Sequence, residues 1–533
     1  MLSPPHEPRD EGSRASLPGV ASGVDVYKRR ARIGGIALAV RTGLAQLIIL
    51  GGTIVLARHV RPAEFGAFAM VQFVLTVLTI FGDVGLGGAL VQKKEPPTQI
   101  ELTSVFYAQL ALGGLVVVVA SFVAELLPRF WPDLPPGTPW ILRALALNFV
   151  FLSARTVPTL LMERELLFVR VSILDTVSSV AFYLVAAVLA LADFGVWALV
   201  LGVLAQGLGG LLTAVVLRPW RPSFAFDASV VRGLLGFGVP YQVRIGLVLL
   251  TRSVIPVLGG TMMGSHAVGI LNWALETGYF PLTFVEILAR VSFPLYSRLQ
   301  SDPAEFAAEM ERSLRVGTAI TLFLSGMFLG LAPELTEIIY SEQWLEAVPL
   351  LRGYAAAIVV AMLVFLLAPA FDAMGKPRAV MTQMVFVAAC VWAFAPLGAL
   401  WAPSLGTTRI EGFVLGHAAS LVLGGVVLVW LVRRELPRVR FLRIYLVPTL
   451  AGALNAALGH VLLGPYIEGP VTLFFAVVAE LAVFVALLQL LDPTTFAALR
   501  ATLPGHKVPK AAALGARETA LSSTGQDGPE ERR

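Results

Sequence analysis

Six ionisable residues stand inside stretches that are otherwise apolar: Arg41, Asp83, Arg244, Arg252, Glu276 and Glu286. A charge in hydrocarbon is costly, roughly 3 kcal/mol on insertion scales and more on an isolated helix, so such groups pair with each other, face water or hold a ligand. Arginine presents a planar fork of donors that matches phosphate oxygens two at a time. A carboxylate beside it can orient the fork, or take up a proton or a sodium ion. The chemistry open to this set is the binding of an anion and the movement of a cation. Catalytic chemistry has little support. Cys390 is alone within an apolar stretch, and the six histidines (His6, His59, His266, His417, His460 and His506) have no metal-ligand spacing. No cofactor and no metal are expected.

The elements that must position these charges are membrane helices. The chain of 533 residues is 57% hydrophobic and 14% charged, far from the composition of a soluble domain. Apolar runs of about 20 residues, enough to cross the hydrocarbon core, recur along it. The reading is an all-α integral membrane protein of about fourteen helices, as two six-helix lobes related by an internal repeat plus two extra C-terminal helices. Its divisions are an N-terminal tail over 1–32, a first lobe over 33–232, a second over 233–442, appended helices over 443–491 and a tail over 492–533. Both tails are rich in small, polar and charged residues and read as disordered, and the first lacks the apolar core of a signal peptide.

Basic clusters alternate with apolar runs. Lys28, Arg29, Arg30 and Arg32, then Lys93 and Lys94, Arg164 and Arg170, Arg218, Arg221 and Arg232 fall on one side, followed by Arg290, Arg298, Arg312 and Arg315, Lys376 and Arg378, and Arg433 to Arg443. The other side holds little more than Arg58, Arg61, Arg129 and Arg409, with acids such as Glu334, Glu337, Glu342 and Glu346. The positive-inside rule makes both termini cytoplasmic in a multi-pass protein of the bacterial inner membrane. The net charge of +5 therefore reflects topology, and nucleic acid is not an expected partner.

A shift of 203 positions carries Arg41 onto Arg244, Gly66 onto Gly269 and Asp83 onto Glu286. Pro158 to Arg164 and Pro369 to Gly375 repeat the end of a fourth helix at an offset of 211, so a small insertion separates the anchors. At 1.5 Å per residue, Arg41 lies about 8 Å inside the cytoplasmic end of its helix and Asp83 about 25 Å down the next, at the same level. The same holds for Arg244 and Glu286, so each lobe is expected to be braced by an ion pair. Arg252 and Glu276 have no charged mates, since the shift places them on Ile49 and Phe73. They fall near mid-membrane, which makes Arg252 the leading anion ligand and Glu276 its partner or an ion carrier. Glu480, in an appended helix, is expected to pack or pair locally. Trp273 and Tyr279 are read first as packing residues, with stacking on sugars the alternative.

The stretch Leu56 to Gln92, LARHVRPAEFGAFAMVQFVLTVLTIFGDVGLGGALVQ, resembles the opening of the bacterial polysaccharide and oligosaccharide-lipid flippases of the multidrug/oligosaccharidyl-lipid/polysaccharide exporter superfamily. Shorter matches follow at Glu163 to Phe168 and at Met374 to Pro377, and the resemblance spans roughly residues 30 to 490. It implies two lobes around a cavity that opens alternately to either side, lined by the first two helices of each lobe. Cationic side chains there would receive the diphosphate of a lipid-linked oligosaccharide. Arg41, Arg244 and Arg252 lie on those helices. The expected function is translocation of polyprenyl-diphosphate-linked oligosaccharide units for exopolysaccharide or O-antigen synthesis, with membrane lipids, a coupling proton or sodium ion and the polysaccharide assembly machinery as further partners.

A peptidoglycan lipid-precursor flippase and a multidrug/cation antiporter share that plan, although the excess of arginine disfavours cationic drugs. A membrane polysaccharide polymerase or ligase is the rival from another class. Such enzymes need an external catalytic loop, and no acid/base constellation lies outside the membrane. No GxxxxGK[ST] phosphate loop is present, which disfavours direct use of ATP.

Overall fold

The computed structural model describes residues 45, 47–82, 90, 95–435, 439 and 441–502, with the backbone alone for 80–82, 234–245, 442, 443 and 502. Among the described residues every regular element is helical. The long helices are α1 (Leu47–His59), α2 (Pro62–Gly82), α3 (Gln99–Ala124), α4 (Thr138–Arg164, bent at Leu147), α5 (Phe168–Leu191), α6 (Val196–Leu217) and α7 (Ala228–Arg252). They continue with α8 (Gly260–Leu299), α9 (Pro303–Leu335), α10 (Val348–Ala373), α11 (Pro377–Trp401), α12 (Arg409–Glu435), α13 (Phe441–Leu458), α14 (Pro470–Leu491) and a short α15 (Pro493–Thr502).

Among the described residues, twelve stretches are long and apolar enough to cross a membrane. One of them, Gly246–Leu299, runs for 54 residues and holds both the end of α7 and all of α8. Helices are what such a sequence must form, since hydrocarbon offers backbone groups no partners. Their ends are set by local chemistry. Thr98 and Glu101 cap α3 reciprocally, and Asp302 accepts from the first amides of α9 with Pro303 at its first position. The corner where the chain turns back lies inside α8 as bounded, at Gly264, with φ +81° and ψ 178°, a conformation that favours glycine.

The two halves share one set of neighbours. In the first, α2 packs on α3, α4 and α6, α3 on α4, α4 on α6 and α5 on α6; in the second, α8 packs on α9, α10 and α12, α9 on α10, α10 on α12 and α11 on α12. Small residues let backbones approach, as between α11 and α12, where Gly398 and Gly412 face each other. Helix α13 lies against α9, and α14 against α13 and α9. The tail expected over 492–533 opens with α15, which Asp492 starts by accepting from Thr495 N at 3.1 Å.

Candidate functional site

Arg252 and Glu276 come together. Each stands 12 residues from Gly264, one before and one after it, so both arms descend about 18 Å from the corner. Arg252 Nη1 lies 3.7 Å from Glu276 Oε1, with the side chains 71% and 69% exposed. The pair is therefore loose and not enclosed by the packing of its own half. An exposed ion pair at this depth in a membrane faces water or ligand rather than lipid. Tyr279, half-buried, lies beside both charges. Immediately beyond Arg252 the helix widens into a π-turn at Ile255–Gly259, which contains Pro256. Such turns are rare and gather at functional sites.

The other sequence candidates are not shown beside this pair among the described residues. Arg41 and Asp83 lie outside the described residues. Arg244 is on α7, about 30 Å from the corner, and its side chain is outside the description. Glu286 has a partner that the spacing did not single out: Arg290, one turn on, with Nη2 at 3.8 Å. Trp273 is a packing residue, stacked on Trp344 with ring centroids 5.1 Å apart and edge-on to Tyr340 at 5.1 Å.

Above the pair, at the end that carries Arg58 and Arg61, the halves are locked together. A methyl group on Gly66 would lie 1.7 Å from the Ser265 carbonyl oxygen, and one on Gly269 would lie 1.8 Å from that of Pro62. The shift of 203 relates Pro62 to Ser265 as it relates Gly66 to Gly269, so the two contacts are reciprocal, as around a twofold axis. Around this crossing, Trp344 Nε1 and Gln343 Nε2 both donate to the Ala57 carbonyl, at 2.7 and 2.6 Å. Arg58 donates to the carbonyls of Ile338 and Ile339, and Phe65 meets Trp344 edge-on at 5.5 Å. Trp344 is fully buried. Sequence reasoning missed it, since a lone tryptophan near a loop is ordinary in a membrane protein.

Elsewhere, charged side chains serve structure. Arg143 pairs with Glu125, Arg155 donates to Ser178 at 3.5 Å, and Arg352 donates to the Leu329 carbonyl at 3.0 Å. Among the described residues no group of three or more His, Cys, Asp or Glu could hold a metal ion.

This geometry belongs to a known lineage. Residues 55–349 match the model of a family described as polysaccharide biosynthesis protein. The chain belongs to that family. It is 26% identical over 283 residues to the teichuronic acid biosynthesis protein TuaB of Bacillus subtilis, covering 51% of this chain and 56% of that one. With the lipopolysaccharide biosynthesis protein WzxC of Escherichia coli it shares 23% over 328 residues, covering 58% and 64%. With the succinoglycan biosynthesis transport protein ExoT of Rhizobium meliloti it shares 24% over 298 residues, covering 56% and 60%. The matched region thus spans about three-fifths of each relative.

The fold matches the lipid II flippase MurJ in an inward closed conformation, with a TM-score of 0.68 and 13% identity over 85% of this chain and 98% of that one. It also matches an inward-facing multidrug-resistance MATE transporter, with a TM-score of 0.59 and 15% identity over 74% and 95%. The family member described here is a multi-pass membrane protein with a transporter fold. Arg252, Glu276 and the Gly66–Gly269 crossing all lie within the family match.

Proposed function

We propose that the chain is a flippase of the bacterial inner membrane that moves polyprenyl-diphosphate-linked oligosaccharide units from the cytoplasmic to the periplasmic leaflet, for exopolysaccharide or O-antigen assembly. The observation that carries this reading is the loose Arg252–Glu276 pair, exposed at mid-depth on the site-lining helices. A diphosphate offers Arg252 two charged oxygens and a shorter contact than Glu276 does, so it takes the guanidinium from the carboxylate. That exchange leaves Glu276 free for a coupling proton or sodium ion. The family and the transport and biosynthesis names of its relatives support a glycan-linked cargo.

Orientation follows from charge. The end bearing Arg290, Arg298, Arg312, Arg315, Lys376 and Arg433 is cytoplasmic, both termini are cytoplasmic, and the interlocked end is periplasmic. The molecule is then in a state closed to the periplasm, ready to receive cargo from inside. On the cytoplasmic half of α8, Phe280, Phe284, Ile287 and Val291 form an exposed apolar stripe at helical spacing. That stripe suits the polyprenyl tail, which stays in the bilayer while the head group enters. The shared neighbour pattern and the reciprocal glycine contacts support two lobes related by duplication, with α13 and α14 appended.

Two experiments bear on this reading. Deleting the gene should leave lipid-linked glycan trapped on the cytoplasmic leaflet, measured by its protection from periplasmic glycosidase; normal surface glycan in the deletion strain would count against it. For the cytoplasmic brace, exchanging Arg41 and Asp83 should restore the folding yield that each single alanine variant loses, and absence of rescue would remove the pair.

A further inference from the structure

Glu480 stands midway along α14, fully buried, with neither carboxyl oxygen hydrogen-bonded among the described residues. Of the local packing or pairing expected of it, the described residues show packing and no pairing. Its Oε1 is pressed against the backbone of α13: a methyl group on Gly459 would lie 1.9 Å from it, and the Leu331 side chain of α9 closes the same spot. Gly459 opens a π-turn, Gly459–Leu463, in a helix whose neighbour across the contact is this carboxyl. One helical turn earlier on the same face of α13 is Asn455, fully buried, with neither its amide oxygen nor its nitrogen partnered among the described residues. An ionised carboxylate in such a place would lack every form of compensation.

The polar groups do not end there. Helix α9, packed along α13, carries buried Thr318, Thr321 and Ser325; the hydroxyls of Thr321 and Ser325 have no partner among the described residues, and that of Thr318 lies beside the Tyr445 hydroxyl. At one end of this line Arg315 faces Asp492 at 3.6 Å. At the other, Glu334 has an Oε2 without a partner among the described residues and lies against Gly464, just past the π-turn. Arg315 to Glu334 covers about 28 Å of helix, nearly the hydrocarbon thickness. Among the described residues, the titratable and charged groups facing this interface are Arg315 and Glu334 on α9, Tyr445 on α13 and Asp492 after α14; His460, on the π-turn, is exposed. Asp492 differs from Glu480 in being satisfied, by Thr495 Oγ1 at 2.5 Å, by Thr494 and by Arg315. Aligned buried hydroxyls and carboxyls inside a membrane are the material of a proton relay.

We propose that Glu480 binds and releases a proton within the membrane, reached along the polar face of α9, and that this exchange drives the conformational cycle. The coupling half rests on the flippase reading; the proton-binding half does not. Two oxygens from Glu480 and one from Asn455 are too few to enclose an alkali ion, which favours the proton.

The test has two arms. In bilayers at neutral pH, the infrared spectrum of the full chain should contain the C=O stretch of a protonated carboxyl in a dry site, lost in Glu480→Gln and removed in the wild type at alkaline pH. A spectrum that Glu480→Gln leaves unchanged, or a band that sodium rather than pH removes, overturns the proposal. In cells, Glu480→Gln at normal abundance should lower glycan export about tenfold, because an amide cannot take up and release the proton, and Glu480→Asp should keep part of it. Full export by Glu480→Gln confines the residue to a structural role and overturns the coupling. A wild type that moves no lipid-linked glycan defeats the flippase reading instead, and the infrared arm still decides whether Glu480 holds the proton.

Discussion

Replacing Arg252 with alanine should lower export of lipid-linked glycan by roughly two orders of magnitude, the loss of two charge-assisted hydrogen bonds of about 1.5 kcal/mol each. The structure gives the reason for so large an effect from one side chain. Among the described residues the guanidinium is tied to its own protein by a single loose contact, 3.7 Å to Glu276, and is 71% exposed. Its fold-level cost on removal is therefore small, and the alanine variant should accumulate normally. Lysine keeps the charge but loses the planar fork, so Arg252→Lys should retain part of the activity. Glu276→Gln separates the roles further. If Glu276 only orients Arg252, the amide should preserve most export; if it carries a coupling ion, export should fall while binding of the lipid-linked substrate persists. The measurement is accumulation of lipid-linked glycan on each leaflet at matched protein abundance. A fully active Arg252→Ala protein would remove Arg252 from the list of ligands.

How much of this could be read in advance depends on which physical quantity decided each feature. The Arg252–Glu276 contact was legible as a shared depth, because rise per residue converts sequence distance from a corner into height. Sequence could not say that the two arms would face each other at Gly264; that follows from helix rotation and from the φ of one glycine. Gly66 and Gly269 were legible as positions matched by the shift of 203, yet only three dimensions show that they touch. Glu286 has a neighbour that the spacing did not single out, for a simple reason. A neighbour one turn on the same helix competes with any partner on another helix, and Arg290 is there.

Glu480 shows the opposite limit. A lone acid in a membrane helix is normally paired, and the sequence holds no sign that its surroundings would be a π-turn, an unsatisfied amide and a row of hydroxyls. Irregular turns are set by packing rather than by local propensity, so neither this one nor the turn after Arg252 was foreseeable. Trp344 was missed because its role depends on a carbonyl 287 positions away.

The Gly66–Gly269 crossing should behave as the gate itself. Alternating access requires that the interlocked end separate in each cycle, and only close backbone contact between α2 and α8 lets it seal. Gly66→Leu places a side chain where even a methyl would sit 1.7 Å from the Ser265 carbonyl, an atom of the backbone that no rotamer change can move aside. Overpacking of this kind costs about 1–3 kcal/mol in an ordinary core, and here it falls on one conformation alone. The closed state loses that stability and the open one does not, so the population shifts outward by about ten- to a hundredfold. In a Cys390→Ser background, a cysteine at Gln72 should react with an impermeant thiol reagent from the periplasmic side at least about tenfold faster in the Gly66→Leu protein, and export should fall with it. Gly269→Leu should give the same result, since its methyl would meet the Pro62 carbonyl at 1.8 Å. Equal labelling in the variants and the parent would show that the crossing is a fixed hinge between the halves. The asymmetry with Arg252 is the useful part: loss of the arginine should stop transport without moving the gate, whereas a leucine at the crossing should move the gate and leave the binding pair intact.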